Sequence, residues 1–362
     1  MNVLIVTPQY WPELGGVSVL WRSTAEALVR RGHSVTVATQ QRSELGALPN
    51  ELVDGVHVHR FIERFGGERF GFAPSLRRWV LRHASTFDVV HLVGYHSPLA
   101  LSVLGLSGAP IVFSPIYHGK GHSALANMVH VVYGRVSGRL FARASLVHCL
   151  SQSETDHLLG DVPHIVDKVR TRLSAITPSN TDVEAFPSAH PIVLMAGRLE
   201  DYKRYDLAID AFAAVESDAQ LIICGTGPAQ ASLQAQISAR GLTDRVSLTG
   251  YVSDEDLRRW QRTADVILSL SSRETFGLVI AEGATFGARI VASDIPAHRE
   301  VVSFLASEAV WVPLETTANE LARLITSALQ QGRQSPPQRQ HTWDHVAADI
   351  EELYLEALGR VS

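Results

Sequence analysis

Several things are scarce in this chain of 362 residues, and each scarcity excludes a class of protein. Only two cysteines occur, Cys149 and Cys224, both inside apolar runs (SLVHCLS and AQLIICG). Such cysteines read as buried strand residues in a reducing compartment, which excludes a disulfide framework or a cysteine-based metal site. Lysine is nearly absent: of 32 basic residues only Lys120, Lys168 and Lys203 are lysines, a mark of high-GC coding rather than of recognition chemistry. The net charge of −5 provides no basic footprint for nucleic acid. No apolar run approaches the roughly 18 residues of a membrane span. The start, MNVLIVTPQYWPE, lacks the basic region of a signal peptide, so a cytoplasmic protein is expected. No low-complexity segment or short-period repeat stands out.

What is present is a regular alternation. Short runs rich in Val, Ile and Leu (NVLIVTP, SVTVAT, VHVHRF, DVVHLVG, PIVFSP, SLVHCLS, then IVLMAGRL, AQLIICGTG, RVSLTGY, ADVILSLS, RIVASD, EAVWVPL) are separated by segments of helical length, among them 15–31, 122–142, 205–216 and 317–330. Runs with little alternation suit strands buried on both faces of a parallel sheet, and the pattern is α/β. It breaks at 178–191, PSNTDVEAFPSAHP, where three prolines and small polar residues intervene. Two doubly wound domains are expected, 1–180 and 190–340, with one cleft where the carboxyl ends of their strands face each other. The last segment, TWDHVAADIEELYLEAL, has helical periodicity.

Five strand ends carry residues suited to a ligand. Arg198 and Lys203 follow the IVLMA strand five residues apart, and read either as a solvated basic turn or as two cations for a pyrophosphate. CGTGP at 224–228 lets backbone approach a phosphate or ribose, though a tight turn alone also explains Gly225. In SRETFGLVIAEG (272–283) a helix begins near Gly277 and Leu278, whose free N–H groups favour an anion. Were the span helical, Glu274 and Glu282 would lie about 12 Å apart. That is too far for a glycosidase carboxylate pair at roughly 5–9.5 Å, but suits two contacts on one long ligand. In the first half Gly15 and Gly16 open a helix after the first strand, and His118 lies just past the PIVFS strand.

Other features read more plainly. His118 and His122 have a zinc-like spacing, but Gly119 and Gly121 disfavour a helix there and no third ligand is evident. Asp254, Glu255 and Asp256 read as the acidic first turn of a helix capped by Ser253 or Asp254, rather than as a metal motif. Arg135, Arg139 and Arg143 recur every four residues, which suits a solvated helix face or an anionic membrane surface.

Together these residues resemble the family-4 retaining glycosyltransferases of GT-B architecture, over nearly the whole chain. The resemblance rests on E-x₇-E with FGL inside it (Glu274 to Glu282), in register with GRL-x₃-K (197–203) and CGTGP. PELGGV, FDVVHL (87–92), SLVHCLSQSE (145–154) and the segment around Trp343 agree in order. It implies a nucleotide-sugar donor, UDP- or GDP-linked, and a glycan, glycolipid or small-molecule acceptor such as an aminocyclitol. Arg198 and Lys203 would neutralise the donor pyrophosphate and Glu274 would contact the donor sugar, with Phe276, Gly277 and Leu278 beside it. Glu282 would contact the ribose, Gly16 the diphosphate and His118 the transferred sugar and acceptor. It further implies retention by a same-face mechanism, no required metal or cofactor, and a last helix (342–358) packed back on the first domain. Peripheral contact with the inner membrane face is compatible with it. A nucleotide-sugar epimerase, a phosphorylase or a silent nucleotide-sugar binding protein are the alternatives. Two departures occur: PSNTD replaces the usual linker P-N-G-V-D, and Gly283-Ala284 follows Glu282 where alanine usually comes first, so a small packing change is expected there.

Overall fold

The computed structural model describes residues 1–360 except 14, 42–46, 65–70, 96, 107, 118–137, 176–180 and 338. Contacts divide it into two compact units, Met1–Ser174 with Trp343–Ser362, and Ala175–Thr342.

Unit 1 holds an eight-stranded sheet, β1 (Asn2–Thr7), β2 (Ser34–Gln41), β3 (Asn50–Val53), β4 (Val56–Ile62), β5 (Val89–Val93), β6 (Ile111–Ser114), β7 (Leu146–Cys149) and β8 (Val169–Thr171). Its order is β3-β4-β2-β1-β5-β6-β7-β8, parallel throughout except β3 against β4. Helices α1 (Gly16–Arg30), α2 (Pro74–His83) and α3 (Gln152–Asp161) connect some of these strands. The apolar runs read as strands are strands. β3 and β8 are additions: β3 is a short antiparallel edge whose NELV sequence carries no apolar run, and β8 is three half-buried residues. Most of the helical segment expected at 122–142 lies outside the described residues, with helix seen over 138–143.

Unit 2 holds a six-stranded, wholly parallel sheet. Its strands are β9 (Ile192–Ala196), β10 (Gln220–Cys224), β11 (Val246–Gly250), β12 (Val266–Ser269), β13 (Arg289–Ser293) and β14 (Ala309–Val312), in the order β11-β10-β9-β12-β13-β14. Its helices are α4 (Tyr205–Phe212), α5 (Gln230–Ala239), α6 (Asp254–Thr263), α7 (Leu278–Thr285), α8 (Pro296–Leu305) and α9 (Ala318–Gln331). The helix expected to run to 216 ends at Phe212. α9 starts with a full capping box, Thr317 with Glu320. Ser253 caps α6 by accepting from the Asp256 amide, and Asp254, Glu255 and Asp256 fill that first turn, where acids favour the helix dipole.

The chain returns to unit 1 for α10 (Trp343–Gly359), which packs on α1, β5 and β6 and buries Trp343, Val346, Ile350, Leu353 and Tyr354. Large apolar side chains contribute about 1.5–3 kcal/mol each on full burial. The exposed ion pairs along the same seam, such as Arg30–Asp344, contribute about 0–1 kcal/mol. Burial therefore holds α10.

One buried polar chain runs beneath α10. His148 Nε2 lies 3.2 Å from the Arg172 carbonyl, which only accepts, so this nitrogen carries the proton. His148 Nδ1 then accepts from Ser114 Oγ (2.8 Å), Ser114 accepts from His91 Nε2 (2.8 Å), and His91 Nδ1 accepts from Tyr354 Oη (2.8 Å). Every link has one donor and one acceptor, so both imidazoles are neutral. Burial pushes His91 well below its ordinary value and His148 down to about 4.

Candidate active site

In unit 2, β9 lies between β10 and β12, so the chain order reverses beside β9. Ligands of doubly wound sheets bind outside the carboxyl ends of strands at such a switch point. The loop after β9 carries Arg198 and Lys203, and the loop after β12 carries Glu274. Lys203 Nζ donates to Glu274 Oε1 at 2.5 Å across this point, and Ser271 Oγ donates to the same oxygen at 2.8 Å. Each partner's side chain is 17% exposed. Burial alone would raise the Glu274 carboxyl, but the Lys203 ammonium overrides it and holds Glu274 below the usual range. Burial likewise opposes the Lys203 charge, and Glu274 reverses that to an upward shift. The pair is ionic at neutral pH.

Local structure delivers both groups. Residues 201–203 form a single 3₁₀ turn, and Arg204 is left-handed (φ +56°) before α4. The Ser272 amide donates to the Tyr202 carbonyl at 2.8 Å, joining the two loops, and Arg273 stacks on the Tyr202 ring at 4.6 Å. Arg198 is partly exposed and its Nε donates to Glu200 at 2.8 Å.

Gly277 precedes α7 with φ +103°, and no side chain caps that helix. A Cβ at 277 would lie 3.2 Å from His298 Cδ2, so both the backbone and this neighbour select glycine. His298 is fully buried; its Nδ1 donates to the Ser293 carbonyl (2.9 Å) and its Nε2 faces Ser269 Oγ (3.3 Å). Phe276 is buried. Leu278 opens α7, so the N–H groups of 277 and 278 stand at its free end beside Glu274.

Glu282 lies inside α7 and accepts from Gln261 Nε2 of α6 at 2.7 Å. Burial raises its carboxyl, against that hydrogen bond. The two glutamates thus have different partners. A Cβ at Gly283 would stand 2.3 Å from Ile267 Cγ1, so the glycine makes room for β12.

The glycines of CGTGP are required by the tight turn, the plainer of the two readings. A Cβ at Gly225 would stand 2.0 Å from the Gly197 carbonyl oxygen, and one at Gly227 2.4 Å from that of Leu199. The Leu199 amide donates to Thr226 at 2.9 Å. The close approach is between the β9 and β10 turns themselves.

In unit 1, Gly16 is the first residue of α1, and a Cβ there would meet nothing within 4 Å. His118, with His122 and Arg135, lies outside the described residues. At the β6 exit Ile116 is left-handed (φ +52°). Glu154, almost fully buried, accepts from the amides of Tyr117 (2.7 Å) and Leu150 (2.8 Å), and burial pushes it up to about 7. The arginine face does not hold as read: Arg143 is half-buried and donates twice to the Leu106 carbonyl, leaving Arg139 exposed. Among the described residues no group of three His, Cys, Asp or Glu could hold a metal, and no helix is long and apolar enough to cross a membrane.

Ser271, His298, Tyr202 and Glu154 escaped the reading of the sequence. Tyr202 and His298 meet the Glu274 and Gly277 loop only through the sheet, whereas Ser271 stands three residues before Glu274 at a local S-x-x-E spacing. Glu154 had a local signal, the S-x-x-E spacing from Ser151, which reads as a helix cap and nothing more.

Known proteins resemble this chain in sequence and fold. The model of the glycosyl transferases group 1 matches residues 177–344, and that of glycosyltransferase family 4 matches 14–171. The chain belongs to glycosyltransferase family 4, has the GT-B fold of two Rossmann-like domains, and is a glycosyltransferase. It is 26% identical to the phosphatidyl-myo-inositol mannosyltransferase of Mycobacterium tuberculosis over 83% of this chain and 80% of that one. It superimposes on sucrose-phosphate synthase from Thermosynechococcus elongatus with a TM-score of 0.79 at 19% identity, covering 100% of both chains. With HepE of Anabaena, solved with UDP and glucose, the TM-score is 0.69 at 19% identity, covering 99% of this chain and 97% of that one.

Proposed function

We propose that this chain transfers a sugar, with retention, from a UDP- or GDP-linked donor to a hydroxyl of a glycan, glycolipid or small molecule. The Lys203–Glu274 pair carries the reading. It is a buried ammonium held at a strand switch point, beside Arg198 and the uncapped start of α7. Those groups form a ready anion site where a diphosphate would lie.

Breaking the anomeric C–O bond moves negative charge onto the β-phosphate and leaves positive charge on the sugar ring. Lys203, Arg198 and the amides of Gly277 and Leu278 stabilise the first, the preorganised electrostatics that dominates many enzymes. Glu274, ionised and anchored by Ser271, faces the sugar, Phe276 packs beneath that loop, and Glu282 takes the ribose. Gly225 shapes the turn beside the donor; Gly16 and His118 take the diphosphate and acceptor roles that the family resemblance implies. One carboxyl held low and one raised is the pattern of an acid–base pair. Here the two bind different partners and act on different parts of one donor. The acceptor proton passes to the leaving phosphate on the same face of the sugar. The positive groups in place make a divalent metal unnecessary.

HepE bound to UDP and glucose supports a nucleotide-sugar donor, and the mannosyltransferase named for phosphatidyl-myo-inositol supports a glycolipid among the acceptor classes. The buried free thiols of Cys149 and Cys224 suit the cytoplasm, with a glycolipid acceptor bringing the enzyme to the inner membrane face. The test is a panel of UDP- and GDP-sugars with excess EDTA, with product configuration read by NMR. Turnover with the donor's anomeric configuration preserved is expected. Inverted product or a strict metal requirement would overturn the mechanism.

A further inference from the structure

At the opposite end of α7 from Glu274 lies a cavity of about 480 Å³, lined among others by Thr181, Arg262, Phe286, Arg333, Pro336 and Arg339. Its lining contains three arginines and, among the described residues, no acid. Four other arginines of unit 2 each face a carboxylate: Arg240 that of Asp210, Arg259 that of Asp256, Arg289 that of Glu308 and Arg299 that of Asp294. The three here have no carboxylate within ion-pair distance among the described residues.

They are nevertheless held in place. Arg262 donates to the Thr181 carbonyl, and Arg339 stacks on Phe304 at 3.9 Å. Arg333 donates to the carbonyls of Thr263, Ala264 and Phe286, where α6 and α7 end. That role offsets the partial negative charge of two helix C-termini, which would otherwise repel an anion. Arg262 and Arg339 then remain for a ligand, and fixed guanidinium forks match phosphate oxygens. Phe286 and Pro336 add an apolar wall.

We propose that this cavity is an anion site separate from the donor site, taking a small multiply charged phosphate or phosphate ester on Arg262 and Arg339. Thr181 lies just after the chain enters unit 2 at Ala175, and Pro336 and Arg339 just before it leaves at Thr342. An occupant would tie the entering and leaving segments together. The inference stands independently of the donor reading.

The probe is inorganic pyrophosphate, titrated into the full chain at constant ionic strength, with hydrogen exchange followed in parallel. The wild type is expected to bind and to gain protection at Thr181–Ala185 and Arg339–Gln340. Arg262→Ala/Arg339→Ala should lose that protection and at least tenfold in affinity for this event. Arg333 stays intact, so the helix ends keep their cap. Arg198→Ala, on the donor side, should retain both signals. Unchanged protection in the double variant would overturn the proposal. So would protection in the wild type confined to 197–204 and 274–278, or no saturable binding.

Discussion

Two buried polar clusters, one in each unit, are built on opposite principles. In unit 1, Tyr354, His91, Ser114 and His148 form a neutral chain in which each donor has its acceptor and no valence is left over. In unit 2, Lys203 and Glu274 form a charged pair at the edge of the sheet, with donors still available on the ammonium. A saturated neutral network secures packing. A charged pair at a strand switch point has a desolvation cost that packing does not recover, which points to a ligand. The difference separates structural from functional polarity within one fold.

The strongest way to break this comparison is at Lys203. Lys203→Ala should lower kcat by about 10²–10³-fold and should destabilise unit 2 by leaving Glu274 buried and unpaired. Lys203→Met with Glu274→Leu should recover the stability, seen as the urea midpoint, and remain inactive. Recovery of turnover in that double variant would make the pair structural.

The unit 1 chain should respond to pH instead. His148 has a folded value near 4, below the ordinary 6.5, so the unfolded chain binds the proton more readily. Its contribution is full above about pH 6.5 and is lost as the pH falls toward 4, on the order of 3 kcal/mol. His148→Gln should be less stable than wild type at pH 7.5 yet lose less stability between pH 6.5 and 4.5. Denaturation midpoints across that range check this, and parallel slopes would contradict it.

The smallest effect expected is at Ser253. Ser253→Ala removes the α6 cap and should cost about 1 kcal/mol, read as a melting shift with kcat unchanged. A metal role for Asp254–Asp256 would appear here as lost activity.

The legible part of this fold was whatever burial writes locally. Strands buried on both faces are apolar runs, so those of both sheets stand out in the sequence. β3 does not, because an edge strand with one partner needs no apolar face. In the candidate site, Arg198, Lys203, Glu274 and Glu282 were named from spacing and resemblance. His298 was not, because its contact with Gly277 exists only once β12 and β13 pair; Ser271 was within reach of the sequence, three residues before Glu274, but its S-x-x-E spacing carries no sign of a ligand site. The glycines of CGTGP were legible as a tight turn but the neighbour that demands them was not, since Gly225 answers to Gly197, a carbonyl 28 positions earlier in the chain.

The place of α10 has a consequence for how the molecule is made. Most of unit 1 precedes unit 2 in the chain, yet its core lacks Trp343, Ile350 and Tyr354 until the segment after unit 2 is synthesised. Unit 2 is continuous and can close while unit 1 still waits, reversing the usual N-to-C order of domain completion. On a ribosome stalled past residue 342, protease should cut unit 1 and spare unit 2; equal resistance would refute this. Unit 2 would mature first, and His91 would receive its hydrogen-bond donor from Tyr354 only after unit 2 has been synthesised.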